Sequence, residues 1–111
     1  MTAISNTPLS ASADGINDNT PHVLLSPSTG QKLKITSILI TNKSDSQDTN
    51  VFLNIGSKQI AAIYAGTSNG GGLIQTPLET AFQNDVDDDL TITCETAGAS
   101  INVTVSGCSA V

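Results

Sequence analysis

The chain contains no arginine and no tryptophan, one histidine, two cysteines and three aromatic residues, and only 13% of its residues are charged. Each shortage excludes something. All cations are lysines, Lys32, Lys34, Lys43 and Lys58, set against ten carboxylates for a net charge of -6. A phosphate-binding surface needs clustered Lys and Arg, so nucleic acid is excluded as a partner. Anionic membrane surfaces are disfavoured for the same reason. No apolar run approaches the roughly 20 residues that a membrane span requires. The opening stretch, MTAISNTPLSASADG, has neither a basic n-region nor an apolar h-region, so no secretory signal is expected and the chain is expected to be made and assembled in a cytoplasm.

Catalytic chemistry is equally short of parts. His22 stands beside a proline, and no nucleophile-elbow motif places a serine near it. One histidine with Cys94 and Cys108 lacks any zinc spacing. Ser68–Gly72, SNGGG, is not followed by the Lys-Ser/Thr of a phosphate-cradling loop and reads as a loop or bulge. With only Phe52, Tyr64 and Phe82 there are few platforms for stacking a sugar. No enzyme activity and no cofactor are expected. Metal binding has one weak candidate, the carboxylates Asp85, Asp87, Asp88 and Asp89 within NDVDDD, because hard cations take several carboxylate oxygens from one loop. That loop lacks EF-hand spacing and also reads as a solvated acidic turn.

What the chain does have is strands. Lys32–Asn42, KLKITSILITN, is rich in residues branched at Cβ. On simple alternation Leu33, Ile35 and Leu39 share one face while Ile38 and Ile40 share the other, which predicts a central strand covered on both faces. Before it, His22–Leu25 is a short strand ended by the turn Ser26-Pro27-Ser28-Thr29-Gly30. After it, the polar loop Asn42–Asp48 and alternating Thr49–Ile55 read as the second half of an antiparallel hairpin. Gln59–Ala65 and Leu73–Pro77 are further strands. Leu90–Glu95 and Ser100–Ser106 alternate apolar and polar and read as a second hairpin around Thr96–Ala99. In that register Cys94 opposes Ile101, and Cys108 falls on the order of 20 Å away. A disulfide needs Cα atoms within about 7 Å, so two free thiols are expected.

Residues 1–21 show no period of 2 or 3.6, and Pro8 and Pro21 interrupt them. They read as an arm, either frayed or docked on a neighbouring subunit with Ile4, Leu9 and Ile16 as its anchoring contacts. Residues 22–111 form one domain: all-β, seven or eight short strands, an antiparallel β-sandwich or barrel.

The strand string Gly30-Gln31-Lys32-Leu33-Lys34-Ile35-Thr36-Ser37-Ile38-Leu39-Ile40-Thr41, followed by Val51-Phe52-Leu53-Asn54-Ile55-Gly56, resembles small phage virion proteins in which a "GkkIrVlsl" strand precedes one ending in an "xSG" turn. The resemblance continues through Asn69-Gly70-Gly71-Gly72-Leu73, Thr76-Pro77-Leu78, Asp88-Asp89-Leu90-Thr91-Ile92-Thr93 and Ile101-Asn102-Val103-Thr104-Val105. It implies a jelly-roll-like sandwich in a bacteriophage virion: a capsid decoration (cement) protein on the capsid surface, or a head or tail accessory protein. Such cement proteins are commonly homotrimers. They bind the major capsid protein, and their N-terminal segment often docks on the shell or on a neighbour. Two other classes fit the same residues. One is a tail-associated receptor-binding module, with a pocket built by Tyr64 and Asp85–Asp89. The other is a subunit of a non-viral protein shell.

Overall fold

The computed structural model describes residues 7–111. Eight strands follow in order: β1 Thr7–Ile16, β2 His22–Leu25, β3 Lys32–Asn42, β4 Thr49–Ile55, β5 Lys58–Ala65, β6 Gly71–Gln75, β7 Leu90–Cys94 and β8 Ile101–Ala110, with a 3-10 turn at Leu78–Thr80. Sheet A has the order β1-β8-β3-β6 and sheet B the order β2-β7-β4-β5. All strand pairs are antiparallel, and the chain pairs first with last, second with seventh, third with sixth and fourth with fifth. That nesting is one long hairpin rolled up, the arrangement of a jelly roll. The fold is an antiparallel β-sandwich, as the strand count predicts.

The two-sided burial expected of Lys32–Asn42 does not occur. Leu33, Ile35, Ile38 and Ile40 are all buried in one core, whereas Leu39 is 46% exposed. The cause is a β-bulge. Ile35 opposes Gly107 and Ser37 opposes Ser106, so Thr36 is an extra residue on β3. One extra residue shifts the side-chain phase by one, and apolar residues of both parities then reach the same face. Gly107 permits this: a Cβ there would meet the Lys34 carbonyl oxygen.

Neither expected hairpin forms. β3 lies in sheet A and β4 in sheet B; β7 lies in sheet B and β8 in sheet A. Alternation along a strand says which residues face inward but not which sheet the strand joins. The polar loops instead carry the chain across the gap of about 10 Å between the sheets. Cys94 therefore opposes Val51 on the inner face of sheet B, not Ile101, and Cys108 opposes Lys34 and Pro8 in sheet A. Both thiols are free and buried. Burial pushes the Cys94 thiol pKa up, and the nearby Asp18 carboxylate adds to the rise.

The described part of the expected arm is largely a strand. β1 lies along β8 from Thr7↔Ser109 to Ile16↔Ile101 and forms an edge of sheet A. Leu9, Ala11 and Ala13 alternate inward against the core, and Ile16 belongs to it. A register shift between Ala13 and Ile16, with Gly15 at φ +70°, breaks the alternation that the sequence would otherwise display. Ile4 lies outside the described residues. Residues 7–16 of the expected arm thus pair within sheet A.

The core gathers the inner faces of both sheets, from Leu33, Ile35, Ile38 and Ile40 on β3 to Val51, Leu53 and Ile55 on β4, Leu90 and Ile92 on β7, and Ile101, Val103 and Val105 on β8. Fully burying each such side chain contributes about 1.5–3 kcal/mol relative to exposure.

Candidate assembly surface

The loops at the two ends of the sandwich are braced from within. At one end, Asn42 is fully buried. Its amide nitrogen donates to the carbonyls of Gln47 at 2.8 Å and Ala65 at 3.1 Å. Its Oδ1 accepts from the backbone N–H of Ser44 at 3.0 Å and Ser100 at 3.2 Å. Its own N–H donates to the Gly70 carbonyl, and its carbonyl accepts from the Asn69 N–H. One side chain thereby fastens the β3–β4, β5–β6 and β7–β8 connections, as a buried amide must when all its polar atoms are out of water. The β1–β2 connection joins them through Gly98 N–H to the Asn17 carbonyl at 2.8 Å.

At the opposite end, the loop that carries the four aspartates singled out above forms a clasp, through the carboxylates of Asp87 and Asp88 and the carbonyls of Asp85 and Asp89. Asp87, at φ +66°, accepts the Gly30 N–H at 2.7 Å on its Oδ1 and donates its own N–H to the Gln31 carbonyl at 2.9 Å. Asp88 accepts the Asn84 amide at 3.2 Å, and its carboxylate occupies the space beside Gly56 where a Cβ would otherwise sit. The Asp89 carbonyl accepts the Gly56 N–H at 3.0 Å. Asp85 is exposed, and its carbonyl accepts the Asp88 N–H. Among the described residues no three His, Cys, Asp or Glu side chains come together as a metal ligand set. A buried Ser109 adds a further tie, donating to Gln31 Oε1 at 2.7 Å and accepting the Ser28 N–H at 2.9 Å.

Tyr64 stands far from the acidic loop. It pairs with Asn50 at the start of β4, whereas Asp88 and Asp89 lie against Gly56 just past the end of that strand, roughly 20 Å away at the usual rise. The pocket expected from Tyr64 and Asp85–Asp89 is therefore not assembled. Tyr64 is 60% exposed and donates its hydroxyl to Asp48 at 2.6 Å, which holds its pKa above the usual tyrosine value. His22 Nε2 lies 2.7 Å from Asp18 Oδ1, an oxygen that also accepts the N–H and hydroxyl of Thr20. Hydrogen bonds from His22 first, then from Thr20, hold the Asp18 carboxyl below its usual pKa. No serine or cysteine is hydrogen-bonded to this His–Asp pair among the described residues.

What remains is the outer faces of the two sheets. On sheet A, Leu39 and Leu73 oppose each other across β3 and β6, and both are exposed at 46% and 55%. Around them are Ser12, Thr104, Thr41 and Gln75, neutral hydrogen-bonding side chains. The bulge opens a shallow depression of about 480 Å³ in the same face, lined by Thr36, Ser37, Gln75, Thr76, Pro77 and Ser106. On sheet B, exposed Val23 and Tyr64 flank half-buried Phe52, Thr91 and Thr93. These are surfaces of hydroxyls, amides and a few apolar groups, with the titratable side chains Asp14 and Lys34 on sheet A and Tyr64 on sheet B standing away from one another. Leu9 and Ile16, two of the three expected partner contacts, lie against this chain's own core. The Leu39–Leu73 pair escaped sequence reasoning because the bulge at Thr36, which turns Leu39 outward, has no local sequence signature.

No family model matches the chain, and no curated protein does. Among solved structures, the chain is similar to the cyanophage Pam1 capsid asymmetric unit, with 13% identity, a TM-score of 0.49, and coverage of 95% of this chain and 85% of that one. It is also similar to the virus-like particle of extra small virus from the giant freshwater prawn Macrobrachium rosenbergii, with 15% identity, a TM-score of 0.43, and coverage of 97% and 82%. Both neighbours are viral capsid structures.

Proposed function

We propose that the chain is a structural virion protein, a capsid decoration protein that binds junctions between major capsid subunits and stabilises the shell. The observation that carries this reading is the character of the exposed surface. Sheet A presents a face of mostly neutral side chains with an apolar pair at Leu39 and Leu73 beside its β6 edge. Two buried polar side chains, Asn42 and Ser109, brace loops and are each multiply bonded. Rigid loops and neutral faces suit repeated, wet contacts between protein surfaces. The resemblance of the β3–β4 strand string to small phage virion proteins supports the same reading. A receptor-binding role is disfavoured because Tyr64 and the acidic loop stand at opposite ends of sheet B.

The mechanism is mechanical. Each subunit bridges neighbouring shell subunits, and many weak contacts on a closed lattice sum through multivalency. Residues 1–6 are the part of the proposed docking arm that precedes the described strands. The test is reconstitution of shells with and without the protein, followed by heating and dilution into low salt. Shells carrying it withstand both better than bare shells. Equal survival overturns the proposal. Deletion of residues 1–6 tests the arm: attachment is lost while the β far-UV signal stays.

A further inference from the structure

We infer that the outer face of sheet A is a self-association surface, taken by a second copy of this chain packed face to face with its strands crossed. This rests on the reading of the chain as an assembly subunit and names the partner of one of its faces. Three observations converge on a second copy.

The first is apolar surface placed where it can be covered. Leu39 and Leu73 are directly opposed neighbours, 46% and 55% exposed, on β3 and the edge strand β6 of a four-stranded face. Isolated exposed leucines need no explanation, but a paired set on a flat sheet face is a contact site in waiting. Three strands of ten or eleven residues and one of five, spaced by about 4.8 Å, give a face of roughly 15 by 30 Å, about 450 Å² before side-chain relief is counted. That is the size of a weak, concentration-dependent contact and not of a standard interface of about 800 Å² per partner.

The second is charge. A chain of net charge -6 repels its own copies wherever carboxylates face one another. Sheet A is the exception. Asp14 stands at one corner, in the β1 bulge beside Asn102, and Lys34 stands diagonally across the face in the row of Cys108 and Pro8. Turning a second copy over about a two-fold axis in the plane of the face brings the Asp14 corner of each toward the Lys34 corner of the other, an arrangement that satisfies both pairs at once. Sheet B offers no such match, because its exposed Tyr64 is bonded to Asp48 and the neighbouring Asn50 to Glu95.

The third is the polar surround. The residues next to the leucines are Ser, Thr and Gln, which can bond to a partner or to interfacial water without a buried charge to desolvate. A two-fold pair is what this face fits, whereas the resemblance implied a trimer.

Sedimentation equilibrium and native mass spectrometry of the full chain provide the test. A concentration-dependent dimer is expected. L39D and L73D each weaken it about tenfold or more, the level of an interface anchor. V23D, on the outer face of sheet B, leaves it unchanged. D14K weakens the dimer, and D14K combined with K34D restores it. Far-UV circular dichroism confirms that each variant keeps its β signal, and any variant that loses it is replaced by L39S or L73S. A monomer at all concentrations, a trimer, a dimer indifferent to L39D, or no rescue by the double charge reversal overturns the inference. Shell attachment, measured separately, reports on the decoration role alone, so the two readings fail independently.

Discussion

Gly107 opposes Ile35 at the point where β3 takes up its extra residue, with the Lys34 carbonyl occupying the space where a Gly107 side chain would begin. The nearest atoms are backbone, which cannot rotate out of the way. Gly107→Ala therefore forces the two central strands of sheet A apart. The expected cost is about 1–3 kcal/mol, the usual penalty for overpacking. It is read as a lower urea midpoint with an unchanged slope.

The same bulge makes adjacent residues behave oppositely. Ile38 is fully buried and Leu39 is 46% exposed. Ile38→Ala is expected to destabilise the fold by about 2–5 kcal/mol, while Leu39→Ala stays within about 0.5 kcal/mol in the monomer. Comparable losses at both positions would mean that the strand is buried on two faces and that the phase shift at Thr36 is absent. Denaturant titration of the two variants at low protein concentration decides it.

Asn42→Leu removes four side-chain hydrogen bonds and leaves the Ser44 and Ser100 N–H groups and the Gln47 and Ala65 carbonyls without that partner. Each buried group left unpaired costs about 1–3 kcal/mol, moderated where water can enter. A total loss of about 2–5 kcal/mol is expected. Amide hydrogen exchange should accelerate first at Ser44 and Ser100, before the core strands.

Tyr64 is the sole tyrosine in a chain without tryptophan, so its ionisation can be followed by ultraviolet absorbance alone. Its hydrogen bond to Asp48 favours the neutral phenol and raises its pKa above 10.0. A raised folded-state value means that the contribution to stability is fully present below about pH 10 and is lost as pH climbs through the folded pKa. Asp48→Asn removes the carboxylate, and the titration midpoint should fall back toward the ordinary value.

For Asp18 the sign is reversed. His22, then Thr20, favours its ionised form, so its folded pKa lies below 3.8. The associated stability is present above the ordinary carboxylate range and disappears as pH falls through the folded value. His22→Ala is expected to move the Asp18 midpoint upward, visible in the carboxyl carbon shift by nuclear magnetic resonance. An unmoved midpoint would show that the Thr20 contacts suffice.

Strand identity was legible in the sequence wherever alternation was uninterrupted. Val51, Leu53 and Ile55 alternate without a break, and so do Leu90, Ile92 and Cys94. The signal failed where a bulge broke the period. In β1 the inward positions are two alanines and a leucine followed by a register shift, too weak a pattern to distinguish from a tail. In β3 the shift at Thr36 inverted the assignment of Leu39. Sheet membership was invisible for another reason. A loop such as Lys43–Asp48 is polar whether it turns back beside its own strand or crosses to the opposite layer, and the deciding contact, Asn42 with Ser100, spans residues distant in the chain. The acidic loop was legible as acidic but not as a clasp, because its partners Gly30 and Gly56 come from two other turns.

The nested order of pairing also constrains the life history of the molecule. Among the described strands β1 is the earliest to be synthesised, and its one neighbour in the sheet is β8, the latest. Local structure cannot shelter it during synthesis, and closing so long a loop makes folding slow relative to chains of mostly local contacts. Throughout translation its unpaired edge stays open to chaperones, or to another nascent copy whose β8 arrives first. At high expression, strand exchange between newly made chains would therefore compete with self-closure, and the balance would be struck by translation speed as well as by stability.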